Sequence, residues 1–142
     1  MFALVTGASS GIGLQYATAL ARDYRCDLLL VSNQEKELQQ VAMDLTQQYG
    51  VKTMWLYKNL AEQNAAEQIY QYTQDNNIQV DVLINNAGML IFNPLCQTPI
   101  GKVETMINLH VLTLTKLCRL FAQDMVSRSH HPSYTHKPQA TG

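Results

Sequence analysis

Thr6-Gly7-Ala8-Ser9-Ser10-Gly11-Ile12-Gly13 is the stretch on which the reading of this chain turns. A short apolar run, Phe2-Ala3-Leu4-Val5, leads into it. Leu14, Tyr16, Ala17, Ala19, Leu20 and Ala21 lead out of it at helical spacing. The pattern is strand, glycine-rich turn, helix. Backbone N–H groups in such a turn, together with the positive end of the helix dipole, form a site for a phosphate or pyrophosphate. Gly7 is expected to allow the tight turn, Gly11 to let backbone approach the ligand, and Gly13 to let the helix lie close to the strand. The bland alternative is an ordinary Gly/Ser turn, since a glycine-rich loop alone is a weak signal.

The rest of the chain repeats the alternation. Cys26 to Val31 is a continuous apolar run of the kind that forms a strand buried on both faces. Ser32 or Asn33 is placed to cap the next helix, over 34–49 with Leu38, Val41, Ala42 and Leu45 on its inner face and Gly50 as its closing glycine. Val51 to Tyr57 reads as a third strand and Ala61 to Asp75 as a third helix, packed through Ala65, Ala66, Ile69, Tyr70 and Tyr72. A fourth strand lies within Gln79–Asn85. An Asn/Gly/Pro loop then runs to Thr98, and a long helix spans about Lys102 to Val126. Strands alternating with helices of this length predict βαβ units. Right-handed crossovers would place helices on both faces of a parallel sheet.

The 142 residues suit one domain with a real core. A net charge of −1 gives no reason to expect nucleic acid as a partner. The three cysteines, Cys26, Cys96 and Cys118, form no CxxC pair and fit a reducing, cytoplasmic setting; no metal is expected at them. The apolar run at the N-terminus is too short for a signal peptide or a membrane helix. From Arg128 onward the texture changes to Ser, His, Pro and Thr without periodicity. Residues 1–127 are therefore expected to be the folded domain and 128–142 an irregular tail. His130, His131 and His136 fall in that tail. A solvated run is the simpler reading than a metal site, since no cysteine or carboxylate stands beside them.

The glycines follow G-x-x-x-G-x-G. With Thr6 before them and Asn85-Asn86-Ala87-Gly88 directly after the fourth strand, they resemble the two opening signatures of the short-chain dehydrogenase/reductase family. The resemblance implies a Rossmann-like, doubly wound parallel sheet, here ending after the fourth strand and the following long helix. It also implies an NAD(P)-dependent oxidoreductase that moves hydride between nicotinamide and a carbonyl or alcohol substrate. On this reading Gly7, Ser9, Ser10, Gly11, Ile12 and Gly13 cradle the pyrophosphate and adenosine ribose. Asn86, Ala87 and Gly88 steady the sheet and line the adenosine side. Asn108 matches the family's helix asparagine, which helps hold a water of the proton relay.

Cofactor choice in this family depends on the end of the second strand, where an acid favours NAD and a small residue with a basic neighbour favours NADP. Ser32 and Asn33 stand there, with no acid and no arginine, and Lys36 is the nearest cation expected. The chain leans to NADP over NAD. Where the family usually has an adenine-contacting Asp, this chain has Asn59 followed by Leu60.

The family's catalytic serine and Tyr-x-x-x-Lys helix have no match. Tyr134-Thr135-His136-Lys137 is one residue short, and no other tyrosine has a lysine four positions on. The chain is expected to be catalytically incompetent by itself, a reading frame changed or stopped near residue 128 being one origin of its texture. A non-catalytic dinucleotide-binding half-domain is the competing reading. A fourth strand left at the sheet edge also predicts self-association into a homo-oligomer.

Overall fold

The computed structural model describes residues 1–129. The elements run β1 (Phe2–Thr6), α1 (Gly11–Tyr24), β2 (Asp27–Ser32), α2 (Glu35–Tyr49), β3 (Thr53–Tyr57), α3 (Ala65–Asp75) and β4 (Val82–Ile84). A short 3-10 turn follows at Leu95–Gln97, and then one long helix. That helix has three parts: α4 (Ile100–Ile107), a π-helical turn (Asn108–Thr113) and α5 (Leu114–Ser129). All strand pairings are parallel and the sheet order is β3-β2-β1-β4.

Period-2 alternation along β1 and β2 splits the core in two. Ala3, Val5, Leu28 and Leu30 face α1 and α2, meeting Ala17, Ala21, Leu38 and Leu45. Leu4, Leu29 and Val31 face the other way, meeting Ala65, Ala66, Ile69, Leu117 and Phe121 of α3 and α5. Because both faces are covered, Leu28, Leu29, Leu30 and Val31 are all fully buried, as the unbroken apolar run predicts. Small residues on the inner faces of α1 and α3 let those helices approach the sheet closely. Tyr70 stacks edge-on against Phe121, ring centroids 5.4 Å apart, and its hydroxyl donates to Asp124 at 2.9 Å, so α3 and α5 are held together by both apolar and polar contact.

Several boundaries differ from the sequence expectation. Gln34 rather than Ser32 or Asn33 precedes the first turn of α2, and no side-chain cap closes that turn. The Ser32 hydroxyl instead accepts the Gln34 amide, at 3.1 Å. The third helix begins at Ala65, four residues late. Asn59 captures the chain first, its side-chain oxygen accepting from Ala61 N–H and its carbonyl accepting from Glu62 N–H, a local turn that competes with helix. The long helix starts at Ile100 and runs through Ser129, so Arg128 and Ser129 belong to α5 rather than to a tail. Arg128 is held there by donating to the Val80 carbonyl at 2.6 Å and facing Asp81 at 3.7 Å. His130, His131, Ser133, Tyr134, His136 and Lys137 lie outside the described residues. No described helix is long and apolar enough to cross a membrane. No cluster of metal-ligating residues occurs among the described residues.

Candidate functional site

Where β1 ends, the chain turns one way to β2 and β3 and later returns to the other side of β1 as β4. That reversal opens a crevice at the carboxyl ends of the strands, the place where open α/β sheets bind ligands. A cleft of about 270 Å³ lies there. It is formed by the loops after β1, β2, β3 and β4 together with the start of the π-turn.

The glycine loop is built to a tight tolerance. Gly7 adopts φ +65° and Gly11 φ +56°, conformations that cost other residues strain. A Cβ on Gly7 would stand 2.9 Å from the Ala87 Cα, and one on Gly13 would stand 2.1 Å from the Gly7 carbonyl oxygen. Gly13 is therefore the residue that lets α1 begin against the end of β1. At Gly11, by contrast, a Cβ would meet nothing within 4 Å, so only its backbone angle demands glycine. The Ser9 and Ser10 amides make no hydrogen bond to protein among the described residues. Together with the first turn of α1 they are donors available to an anion.

Thr6 joins this loop to the one after β4. Its buried hydroxyl accepts from the Asn86 and Ala87 amides, at 3.0 and 3.1 Å, and donates to the Ile84 carbonyl at 3.4 Å. Asn86 returns a bond from its side-chain nitrogen to the Gly7 carbonyl at 3.3 Å. Asn85 points the other way, its side-chain nitrogen 3.2 Å from the Cys118 sulfur. The Asn-Asn-Ala-Gly segment thus steadies the mouth of the sheet through its backbone and through Asn86.

At the far end of the cleft, Ser9 and Ser32 hydroxyls lie 2.8 Å apart, and Ser9 donates to the Gln34 side-chain oxygen at 3.0 Å. This trio carries no charge and lines the cleft where the loops after β1 and β2 meet. Asn33, Asn59, Leu60, Ala87, Gly88 and Leu109 also line the cleft, and Leu60, Ala87 and Leu109 pack together at its floor. Three lining residues lie outside the sequence-derived set: Gln34, Lys58 and Leu109. Lys58 replaces Lys36 as the cation of the cleft, because β3 pairs with β2 in a register that sets Tyr57 beside Ser32. The pairing of two strand ends, invisible in a linear reading, is what brings Lys58 there. Its ammonium is hydrogen-bonded to Gln68.

Four predicted residues do not line the cleft: Gly11 and Gly13, which shape the loop behind it, and Ile12 and Asn108. Ile12 is 68% exposed and not part of the cleft wall. Asn108 opens the π-turn half-buried, and its side chain makes no hydrogen bond among the described residues. The neighbour that does engage the loop is His110, whose Nε2 lies 3.0 Å from the Met89 amide nitrogen and 2.8 Å from the Met89 carbonyl oxygen.

Fold and crevice define a Rossmann-like dinucleotide-binding unit of the α/β class. The short chain dehydrogenase family model matches residues 1–131, and the chain belongs to that family. A very-long-chain 3-oxoacyl-CoA reductase from Anas platyrhynchos is 34% identical over 134 residues, covering 90% of this chain and 42% of that protein. The chain therefore spans about two-fifths of the length of such relatives. Among solved structures, an L-sorbose reductase from Gluconobacter frateurii, complexed with NADPH and L-sorbose, superposes with a TM-score of 0.82. It is 27% identical and covers 89% of this chain and 48% of its own. A short-chain dehydrogenase from Sphingobium yanoikuyae in complex with NADPH gives a TM-score of 0.82 at 31% identity, covering 89% of this chain and 49% of its own.

Proposed function

We propose that this chain is the cofactor-binding portion of an NAD(P)-dependent oxidoreductase, which moves hydride between a nicotinamide and a carbonyl or alcohol. The observation that carries this reading is the cleft itself. Ser9 and Ser10, whose amides make no bond to protein among the described residues, line it beside Gly7 and Gly13, whose geometry is set by close backbone contact. The residues present fit a dinucleotide. The loop Gly7–Gly13 would hold the pyrophosphate, with Ser9, Ser32 and Gln34 at the adenosine ribose. Asn59 and Leu60 would lie along the adenine, and Ala87 and Gly88 along the opposite wall. When bound, the cofactor supplies a hydride donor or acceptor; this chain's own part is to bind and orient it.

NADP(H) is favoured over NAD(H). No carboxylate lines the cleft among the described residues, so nothing there repels a 2′-phosphate, and Lys58 supplies a nearby positive charge. Several structural neighbours are complexes with NADPH or NADP. The relatives named as very-long-chain 3-oxoacyl-CoA reductases suggest a 3-oxoacyl thioester as the substrate class. No tyrosine in the 142 residues is followed by lysine four positions on, and Ser129 sits in a helix rather than after a strand. The chain alone is accordingly proposed to bind without turnover.

Fluorescence titration with NADPH and NADH tests the first part, with saturable binding expected and NADPH the tighter of the two. Incubation with NADPH, a ketone panel and a 3-oxoacyl thioester tests the second. Absence of binding to either nucleotide refutes the proposal; turnover refutes the assignment of incompetence.

A further inference from the structure

The cofactor reading gives the long helix no role, yet the irregular turn of that helix is bonded to two of the loops that line the cleft. The helix departs from α geometry for six residues, Asn108–Thr113. A π-turn is costly within a helix and persists where surrounding contacts require it. Here two side chains of that turn reach outward to two separate loops. Thr113 is buried, 3% exposed, and its hydroxyl donates to the Leu60 carbonyl at 2.6 Å. Leu60 belongs to the loop after β3. His110 sits against the loop after β4, with its Nε2 within hydrogen-bond distance of both the Met89 amide and the Met89 carbonyl. The fit is close, since a Cβ on Gly88 would come within 2.9 Å of the His110 ring. Leu60 and Gly88 both line the nucleotide cleft.

We propose that His110 and Thr113 are positioning residues: through this one turn they fix the loops after β3 and β4 relative to each other and so set the width of the nucleotide cleft. Neither side chain lines the cleft itself. Among the described residues, Met89 has no other hydrogen-bond partner for its amide or its carbonyl. A single imidazole nitrogen serves one of these at a time, donating to the carbonyl in one tautomer and accepting from the amide in the other. A glutamine side chain offers a donor and an acceptor together at similar reach, whereas leucine offers neither. This difference separates hydrogen bonding from mere bulk at position 110. The exposure of His110 also makes its replacement tolerable to the fold.

The inference rests on the cofactor reading, and the test separates the two. Amide hydrogen exchange of Met89 is measured on the full 142-residue chain without nucleotide, for wild type, His110→Leu and His110→Gln. NADPH affinity is then measured for the same proteins and for Thr113→Val. His110→Leu is expected to speed Met89 exchange about tenfold and weaken NADPH binding about three- to tenfold, the loss of one net hydrogen bond. His110→Gln should return both to within about twofold of wild type, and Thr113→Val should weaken NADPH to a similar degree as His110→Leu. The proposal is overturned if His110→Leu leaves exchange unchanged, if exchange rises with no effect on affinity, or if His110→Gln behaves as His110→Leu. Wild-type protein that fails to bind NADPH refutes the cofactor reading, and with it the cleft-setting role. The exchange data alone then decide whether His110 holds the loop.

Discussion

Replacing Gly13 by alanine should be the most damaging single-methyl change in the chain. The added Cβ would stand 2.1 Å from the Gly7 oxygen, 2.5 Å from the Asn86 side-chain nitrogen and 2.7 Å from the Gly7 carbonyl carbon. Two of these atoms are backbone, and that backbone is pinned: Gly7 N–H donates to the Val31 carbonyl at 2.8 Å, and the Gly7 Cα faces Ala87 closely on its other side. Relief therefore requires α1 to back away from β1, which unpacks Ala17 and Ala21 from the sheet. Overpacking of this kind costs about 1–3 kcal/mol where some side chain can give. None can at Gly7, and the gain of up to about 1 kcal/mol from replacing glycine in a helix offsets only part. A net loss of about 2–3 kcal/mol is expected, a fall of roughly 6–10 °C in Tm for a domain of this size. Gly11→Ala is the control. Its Cβ meets open space, so only the strain of φ +56° applies, about 1 kcal/mol. Urea unfolding followed by circular dichroism reads both. If Gly13→Ala is within about 0.5 kcal/mol of wild type, or is the milder of the two, the close-approach argument is wrong.

Thr6→Val keeps the volume but strands the Asn86 and Ala87 amides and the Ile84 carbonyl. A loss of about 2–4 kcal/mol in urea unfolding is expected, together with weaker NADPH binding. Asn33→Arg should tighten NADPH about tenfold in a fluorescence titration and leave NADH unchanged, since the guanidinium has a partner only in the 2′-phosphate. The hydrogen bond from Lys116 holds the Glu67 carboxyl below its usual range. A depressed carboxylate pKa contributes stability above the unfolded value and loses it as pH falls through the folded one. Both partners are substantially exposed, so Glu67→Gln should cost only a few tenths of a kcal/mol at neutral pH and nothing in strong acid, measured by thermal unfolding across pH. Sedimentation at micromolar concentration is expected to show self-association through the outer edge of β4 and the exposed Leu90, Phe92 and Leu95 beside it; a single monomeric boundary removes that expectation.

The parallel sheet was legible because its evidence is local and redundant. The run Leu28-Leu29-Leu30-Val31 admits little but a strand covered on both sides, and the glycine spacing fixes what joins β1 to α1. The same locality explains the misses. Asn59 capturing its own turn competes with helix at Ala61 in a way composition does not weigh, so α3 begins late. Lys58 and Gln34 reach the cleft through the register of β2 with β3 and the capping of α2, which are properties of pairs of elements. The π-turn is the largest omission. Its residues carry an ordinary helical pattern, and the partners its side chains meet, Leu60 and Met89, lie distant in sequence. Residues whose role depends on backbone shape, such as Gly7 and Gly13, announced themselves; residues whose role depends on what faces them, such as His110, did not.

The cleft is asymmetric in how it would receive a ligand. At the end proposed for the pyrophosphate the Ser9 and Ser10 amides make no bond to protein among the described residues, and the loop is held in shape by Thr6, Asn86 and Gly13. An anion there would gain hydrogen bonds without displacing any within the protein, which is preorganisation in its plainest form. At the end proposed for the ribose the Ser9, Ser32 and Gln34 side chains already bond one another. A ribose hydroxyl must exchange into that network for little net gain, whereas a 2′-phosphate, accepting from both serine hydroxyls at once, exchanges on better terms. Deleting the Ser9 hydroxyl should therefore weaken NADPH more than NADH. A Ser9→Ala variant that weakens both by the same factor would show that the trio does not discriminate between the two cofactors.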